Sequence, residues 1–565
     1  MKKIILLLFI LTMILQAQID NKISNEVQKQ IEINSPNEKL LVWIFFTDKG
    51  ENELNKLSQP NKIVSKKSLK RRAKVLPKNK LISYSDLPPS KNYIKKIEET
   101  NFTLRHKSRY FNAVSGYVNE TKLTDIANYK FVKKIDIVKK YHKRIQPIEK
   151  MKPVKKTHTL NKKNNTHSLD YGESYTQLEQ MNVPTLHDSG LSGKGITICV
   201  LDAGFNLLEH EVFDSMNIID KWDFVDNDST VGGHSHGTGT LSAIGGFKEG
   251  ELIGPAFGAD FLLARTEDVS SETPLEEDNW IAGIEWADSI GADISSTSLG
   301  YLDFDNPLYS YTWEDMNGDS CRITIASDLA VKNGIIVVNS AGNKGSNSTH
   351  NTLMAPADGD SVITIGAVDS LGNRSSFSSV GNTIDGRIKP DVMAMGSAVY
   401  LANTGGTYSR GSGTSFSCPL VAGVTALLLE YDTTLTPMQM RDILRENASN
   451  SDSPNRLMGW GIVNASVSLN EIIINQLPEN YLLIKNYPNP FNNFTTIEYV
   501  IEENTFVRIN IYNIFGQKIQ TLVNEEKGIG KYKINFNADN LSSGIYFCSM
   551  QYDNKIITTK MLLLK

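Results

Sequence analysis

Cysteine is scarce, with four residues in 565. A small disulfide-stapled scaffold, in which roughly one residue in ten is cysteine, is therefore excluded. After the first 17 residues no uninterrupted apolar run reaches about 18 residues, so nothing further along the chain reads as a membrane span. Hydrophobic residues make up 40% and charged residues 22%. That balance excludes a collagen-like chain, a mostly disordered chain and a multi-span membrane protein. At 62.9 kDa the chain is too long for one core and predicts three or four domains.

What is present is unevenly spread. Residues 1–17 read MKKIILLLFILTMILQA: Lys2 and Lys3 precede an apolar core from Ile4 to Leu15, and Ala17 supplies a small residue for cleavage. This pattern predicts a signal peptide and an exported protein. The net charge of −4 conceals a polarity. Residues 21–170 carry 34 Lys+Arg against 14 Asp+Glu, and residues 171–565 carry 23 against 48. A basic segment on an acidic body predicts either nucleic-acid binding or docking of one part on the other. Export favours docking.

From Gly193 onward, short apolar β-branched runs alternate with helical stretches. Gly195–Leu201, Ile335–Asn339 and Val362–Val368 read as buried strands, and Pro419–Leu429 as an apolar helix. This predicts an α/β fold with a mainly parallel sheet flanked by helices, with function beyond the carboxyl ends of the strands. Peptide hydrolysis by serine needs a hydroxyl nucleophile, a histidine base, a carboxylate that orients the base, and donors for the oxyanion. Each has a glycine-flanked counterpart: Asp202-Ala203-Gly204 after a strand, His236-Gly237-Thr238-Gly239-Thr240 at a helix start, Ala341-Gly342-Asn343 after a strand, and Gly413-Thr414-Ser415 ahead of the apolar helix.

This constellation resembles the subtilisin-like serine peptidases (S8 family). The order Asp, His, Asn, Ser agrees, and so do the spacings of 34, 107 and 72 residues. Supporting text includes Ser298-Leu299-Gly300, Phe377–Gly381, Asp391–Ala394 and Gly459–Ala465, and the likeness spans about residues 171–475. The resemblance implies that Ser415 is the nucleophile, His236 the base, Asp202 the residue that orients it, and Asn343 an oxyanion donor. It places substrate along Ser298, Leu299 and Gly300, and at Ala341 and Gly342. Ala203 departs from the usual Ser or Thr, and Phe416 from the usual Met. Neither change removes a group that the chemistry requires.

The flanks fit the same picture. Residues 40–47, Tyr110–Val118 and Phe131–Val138 read as strands and Ile94–Thr100 as a helix. An α+β domain over 38–145 results, which resembles the family's inhibitory propeptide. Residues 146–170 are polar and basic and read as an exposed linker. At the other end, Tyr487-Pro488-Asn489-Pro490-Phe491-Asn492, Tyr512-Asn513, Gly516-Gln517, Ser543–Tyr546 and Lys560–Lys565 punctuate short alternating strands. They predict a β-sandwich over 481–565 that resembles the C-terminal sorting domain of type IX secretion.

Other features receive plainer readings. His234 and His236 form His-x-His, but nothing nearby completes a metal site. The acidic stretch from Glu267 to Glu285 reads as a solvated loop and helix face, as a subsite for basic substrate side chains, or as a cation site. Asp315–Asp319 faintly resembles a calcium loop, with its glycine too early for an EF-hand. Cys199 and Cys418 read as buried thiols.

The combined expectation is a secreted or surface-attached serine endopeptidase, exported through the periplasm and made as a self-inhibited precursor. The alternative is a catalytically silent surface-binding protein or adhesin on the same scaffold. Expected partners are protein or peptide substrates, the chain's own propeptide and the secretion machinery; neither nucleic acid nor an integral membrane span is expected. No cofactor is needed for the chemistry and no metal ligand is assigned, although relatives' structural calcium leaves that ion open.

Overall fold

In a computed structural model of the 565-residue chain, the described residues are 21–34, 38–51, 53–138, 152–153, 167–267, 276–302, 310–403, 405–476, 484–501, 505–528, 530–552 and 555–565. The expected signal peptide and most of the expected linker lie outside them. The chain forms two compact units, one up to Asn470 and one from Glu471.

The first unit begins with a four-stranded antiparallel sheet: β1 (Lys39–Phe46), β2 (Thr103–Ser108), β3 (Ala113–Asn119) and β4 (Val132–Ile137), in the order β2-β3-β1-β4. The continuous apolar run of β1 has a direct cause. Leu40, Val42, Ile44 and Phe46 face the domain's own helices, while Leu41 and Trp43 belong to the core of the neighbouring body. A strand buried on both faces loses the polar alternation of a half-exposed one.

The central body carries a seven-stranded parallel sheet. Its strands are β5 (Thr197–Asp202), β6 (Asn217–Asp223), β7 (Asp260–Arg265), β8 (Ile294–Thr297), β9 (Ile336–Ser340), β10 (Ile363–Val368) and β11 (Val392–Met395). The order is β11-β10-β9-β8-β5-β7-β6. After β5 the chain builds one side of the sheet, then crosses to build the other from β8. The switch point therefore lies between β5 and β8, the place where open parallel sheets bind their ligands, beyond the carboxyl ends of the strands. The long apolar helix Thr414–Tyr431 is a core helix, buried from Thr414 to Leu429.

Residues 268–275 of the acidic stretch, Glu272 among them, lie outside the described residues, and the helical part departs from the solvated and the substrate-subsite readings. Helix Glu276–Ile290 buries Glu276, Glu277, Asp278, Glu285 and Asp288. It is neither a solvated face nor an open subsite: it meets the basic N-terminal domain. Ser115 Oγ donates to Asp278 at 2.7 Å, Arg105 Nη2 to Asn279 at 2.7 Å, and the Arg109 N–H to Glu285 at 2.8 Å. Arg109 and Arg72 each reach Asp288 at 2.6 Å, Arg71 also bonds it, and Tyr110 Oη donates to it at 2.8 Å. Burial alone raises the Asp288 carboxyl, but Arg109, Arg71 and Arg72 together pull it below its ordinary range. The opposite charges of the two segments thus meet as desolvated pairs, where a charge costs least if it is matched.

The second unit, taken by itself, is a pair of antiparallel sheets. One holds Ile484–Tyr487, Phe494–Ile501 and Gly530–Asn537; the other holds Lys518–Lys527, Thr505–Asn513, Gly544–Tyr552 and Lys555–Leu563. Alternate residues such as Ile497, Tyr499 and Ile501, and Val507, Ile509 and Ile511, form its core. This is the two-periodicity expected of strands with one wet face. At the Asn513–Gln517 turn, Asn513 Oδ1 accepts from the N–H groups of Phe515 and Gln517, both at 3.0 Å, and Gly516 takes φ +71°.

Candidate active site

Asp202 is the last residue of β5 and is wholly buried. A buried carboxylate requires donors. Oδ1 accepts from the Ala203 N–H at 2.7 Å and lies 2.7 Å from His236 Nδ1, while Oδ2 accepts from Thr240 Oγ1 at 3.0 Å. A carboxylate on Nδ1 places the imidazole proton there and leaves the lone pair on Nε2. Among the described residues, His236 Nε2 is buried and has no hydrogen-bond partner.

His236 opens helix His236–Gly245, and its N–H donates to His234 Nδ1 at 3.0 Å. His234 therefore caps this helix start. The helix is built from small residues because it is buried along its full length. A Cβ on Gly237 would lie 2.3 Å from Gly204 O, the backbone that follows Asp202. The glycines of the two motifs are the close approach that brings histidine to aspartate.

Ser415 lies in the first turn of helix Thr414–Tyr431, where the helix offers no acceptor for its own leading N–H groups. Five residues in, Pro419 has no N–H to give to Ser415 O. Ser298 Oγ supplies that missing donor at 2.7 Å, and Ser415 Oγ in turn donates to Ser298 O at 3.2 Å. Ser298, just beyond β8, is thus tied to Ser415 twice, by its hydroxyl to the Ser415 carbonyl and by its own carbonyl to the Ser415 hydroxyl. The Phe416 ring, wholly buried, lies with its centroid 5.6 Å from that of His236.

Asn343 is placed by Thr414. Its Oδ1 accepts from the Thr414 N–H at 2.9 Å and from Thr414 Oγ1 at 3.0 Å. A backbone N–H only donates, so the amide oxygen must face Thr414 and Nδ2 must face away. Gly342 N donates to the same Thr414 hydroxyl at 3.2 Å. Ala341, Ser298 and Leu299 are buried. Leu299 O accepts from Asn339 Nδ2 at 3.3 Å, and a Cβ on either Gly300 or Gly342 would lie 2.8 Å from the Met354 side chain.

Three family models match: the Subtilase family over residues 193–461, the Peptidase S8 propeptide domain of Bacteroidota over 41–159, and the Secretion system C-terminal sorting domain over 485–564. Subtilisin of Bacillus pumilus is 32% identical over 307 residues, 53% of this chain and 98% of that protein. The chain belongs to the subtilase family. Subtilisin NAT of Bacillus subtilis subsp. natto is 33% identical over 288 residues, 50% of this chain and 66% of that protein. The chain spans just under two thirds of its length. The crystal structure of a cold adapted subtilisin-like serine proteinase shares 29% identity, covering 48% of this chain and 88% of that one at a TM-score of 0.38. The acidic subtilase body is therefore covered by a family propeptide, and the sorting-domain match indicates export to the surface or the medium.

Three residues of this subtilase site were not singled out from the sequence: Thr240, Thr414 and Met354. Thr240 and Thr414 lie inside quoted motifs, so their nearness was legible but their partners were not. Met354 is 54 residues from Gly300 and 12 from Gly342, and only folding brings it between them. The Asp315–Asp319 loop uses its side chains as turn caps. Asn317 Oδ1 accepts from the Asp319 and Ser320 N–H groups at 2.9 Å, and Gly318 N donates to Asp358 Oδ2 at 2.9 Å. Among the described residues no three His, Cys, Asp or Glu side chains group as metal ligands. Cys199, Cys321, Cys418 and Cys548 are all buried and none is in a disulfide among the described residues. Burial pushes the Cys418 and Cys548 thiols up to about 12.

Proposed function

We propose that the chain is the precursor of an exported serine endopeptidase. Ser415 Oγ turns from Ser298 O, attacks the scissile carbonyl carbon and gives its proton to His236 Nε2. Asp202 holds the imidazolium, which returns the proton to the leaving amine; water then repeats the sequence on the acyl-enzyme. Asn343 Nδ2 and the Ser415 N–H take the charge on the carbonyl oxygen. Extended substrate pairs along Ser298–Gly300, with Ala341 and Gly342 on the facing wall. The observation that carries this reading is the shared Thr414. It turns the Asn343 amide outward directly beside Ser415, while Asp202 fixes His236 at 2.7 Å.

The N-terminal domain inhibits the enzyme until the chain is cut after it. Intact mass followed over time, for the purified precursor beside Ser415→Ala, tests both claims. Loss of a fragment ending within about residues 140–175 in the first protein alone supports them. Identical cutting of both refutes self-processing. If neither is cut, a covalent serine-directed probe decides: no label at Ser415 would sink the enzyme reading and leave a binding protein on a silent scaffold.

Asn343→Ala is expected to lower kcat about 10²–10³-fold with KM nearly unchanged, a magnitude borrowed from the oxyanion asparagine of another family member. A fall in kcat/KM carried by KM alone would assign Asn343 to ground-state binding. Deleting residues 485–565 is expected to leave the protein in the periplasm. Normal surface delivery of the truncated chain, with binding lost instead, would make the C-terminal unit an adhesin.

A further inference from the structure

The N-terminal domain holds more than a sheet and its covering helices. Between β1 and helix Lys91–Glu98 runs a long insertion, residues 47–90, and its helix Lys66–Arg72 leaves the sheet to lie on the subtilase body. It meets the far end of helix Glu276–Ile290. The Ser65 N–H donates to Ser289 O at 2.9 Å and Ser65 Oγ to Ile290 O at 2.5 Å, while the same hydroxyl accepts from the Ser68 N–H at 3.0 Å. One serine therefore caps the carboxyl end of one helix and the amino end of the other.

The subtilase surface is shaped for this helix. Gly291 has φ +109°, and a Cβ there would lie 2.8 Å from both Lys67 Cβ and Ser68 N. Gly334 has φ +91°, and its Cβ would come 3.2 Å from Arg71 O. Between them sits Asp288. Arg71, 1% exposed, bonds Asp288 and donates to Ala292 O at 2.5 Å and Asn333 O at 3.2 Å. Arg72, wholly buried, joins Asp288 at 2.6 Å to Asp86 at 2.8 Å. Lys67 adds Asp293 at 3.2 Å. A guanidinium fork that satisfies one carboxylate and two carbonyls is a directional contact that no ammonium reproduces.

We propose that the end of helix Glu276–Ile290, centred on Asp288 and floored by Gly291 and Gly334, is a binding site for a helix carrying adjacent arginines, and that residues 60–76 are a clasp that holds the cut propeptide on the enzyme independently of the substrate crevice. The clasp explains why Arg71 and Arg72 are buried rather than displayed. It also gives the basic N-terminal third a destination: after removal of the propeptide, Asp288 and Asp293 would remain as an acidic mark for the arginines of that domain, Arg109 from the β2–β3 connection as well as Arg71 and Arg72 from the helix. The proposal rests on the precursor reading but not on catalysis.

The test uses the full chain carrying Ser415→Ala, with a recognition sequence for an unrelated site-specific protease placed within residues 154–166. After cutting, the dissociation rate of the two pieces is measured. With Asp288 intact they are expected to co-elute. Asp288→Asn leaves buried guanidiniums without their carboxylate and is expected to speed release about 10²–10³-fold. Arg71→Lys keeps the charge, loses the fork, and is expected to speed release about tenfold. Lys122→Ala, at an exposed pair with Asp125, is the control and should leave the rate unchanged. Because Asp288 also holds Arg109 and Tyr110 outside the clasp, Arg71→Lys is the deciding variant: release from it at the parent rate overturns the clasp, whatever Asp288→Asn does. Should either variant fail to fold, hydrogen exchange on the cut parent complex decides without them. Protected amides over 66–76 support the clasp, and rapid exchange there beside a protected β1 overturns it.

Discussion

Ser415→Ala is expected to abolish peptide hydrolysis, with kcat falling about 10⁶-fold, the size known for the nucleophile of another subtilase. Ser415 sits in the first turn of a buried helix, its carbonyl satisfied by Ser298 Oγ and its neighbour Thr414 fixed to Asn343. Alanine fits every one of those backbone contacts, so the substitution removes only the hydroxyl. Thermal stability and propeptide docking should therefore be unchanged. Steady-state kinetics on a peptide substrate, with the melting temperature measured beside it, checks this. A loss below about a hundredfold would mean that another group attacks the carbonyl, and the proposed chemistry would be wrong.

Asp202→Ala is expected to cost about 10⁴-fold in kcat, again by the precedent of a subtilase. The reason is specific to the packing here. His236 Nδ1 has its carboxylate at 2.7 Å, inside a site where Asp202 is wholly buried. Without it nothing holds the proton on Nδ1, so the Nε2 atom that should accept from Ser415 can carry the proton instead. The Ala203 N–H also loses its acceptor and the Thr240 hydroxyl keeps only Gly237 O at 3.2 Å, so a fall in stability is expected along with the fall in rate. The substrate contacts proposed along Ser298–Gly300 are untouched, and KM should stay within a few-fold. Kinetics between about pH 6 and 9 checks the expectation. A variant with a raised KM and near-normal kcat would show that Asp202 shapes the crevice rather than the base.

Different parts of the molecule were legible to different degrees. The strand ending at Asp202 announces itself because a fully buried parallel strand is continuously apolar and β-branched, and the glycines after it mark a close approach. The glycine-rich start of the His236 helix is visible for the same reason, since only small residues allow it to lie against Gly204. The apolar run after Pro419 likewise reads as a core helix, and it is one. Less could be read where both partners of a contact are polar. Nothing in Glu276–Asp288 distinguishes a solvated acidic face from a buried one, because the difference lies in arginines about 170 to 220 residues earlier in the chain. Nothing in Lys66–Arg72 says that Arg71 and Arg72 are buried, since a basic run is normally a wet surface.

The sequence by itself therefore determined the family-like order of Asp202, His236, Asn343 and Ser415, the alternation that makes a parallel sheet, the β-rich C-terminal unit, and the opposed charges of the two large segments. These are local patterns, written in glycine, β-branched and small residues whose backbone demands act over a few positions. Tertiary structure alone decided which donors hold Asp202, that Thr414 turns Asn343, that Met354 fills the space between Gly300 and Gly342, and that Asp288 gathers three guanidiniums. Those outcomes depend on charge and hydrogen bonding between chain segments that meet only after folding, where burial makes a matched pair favourable and an unmatched one costly.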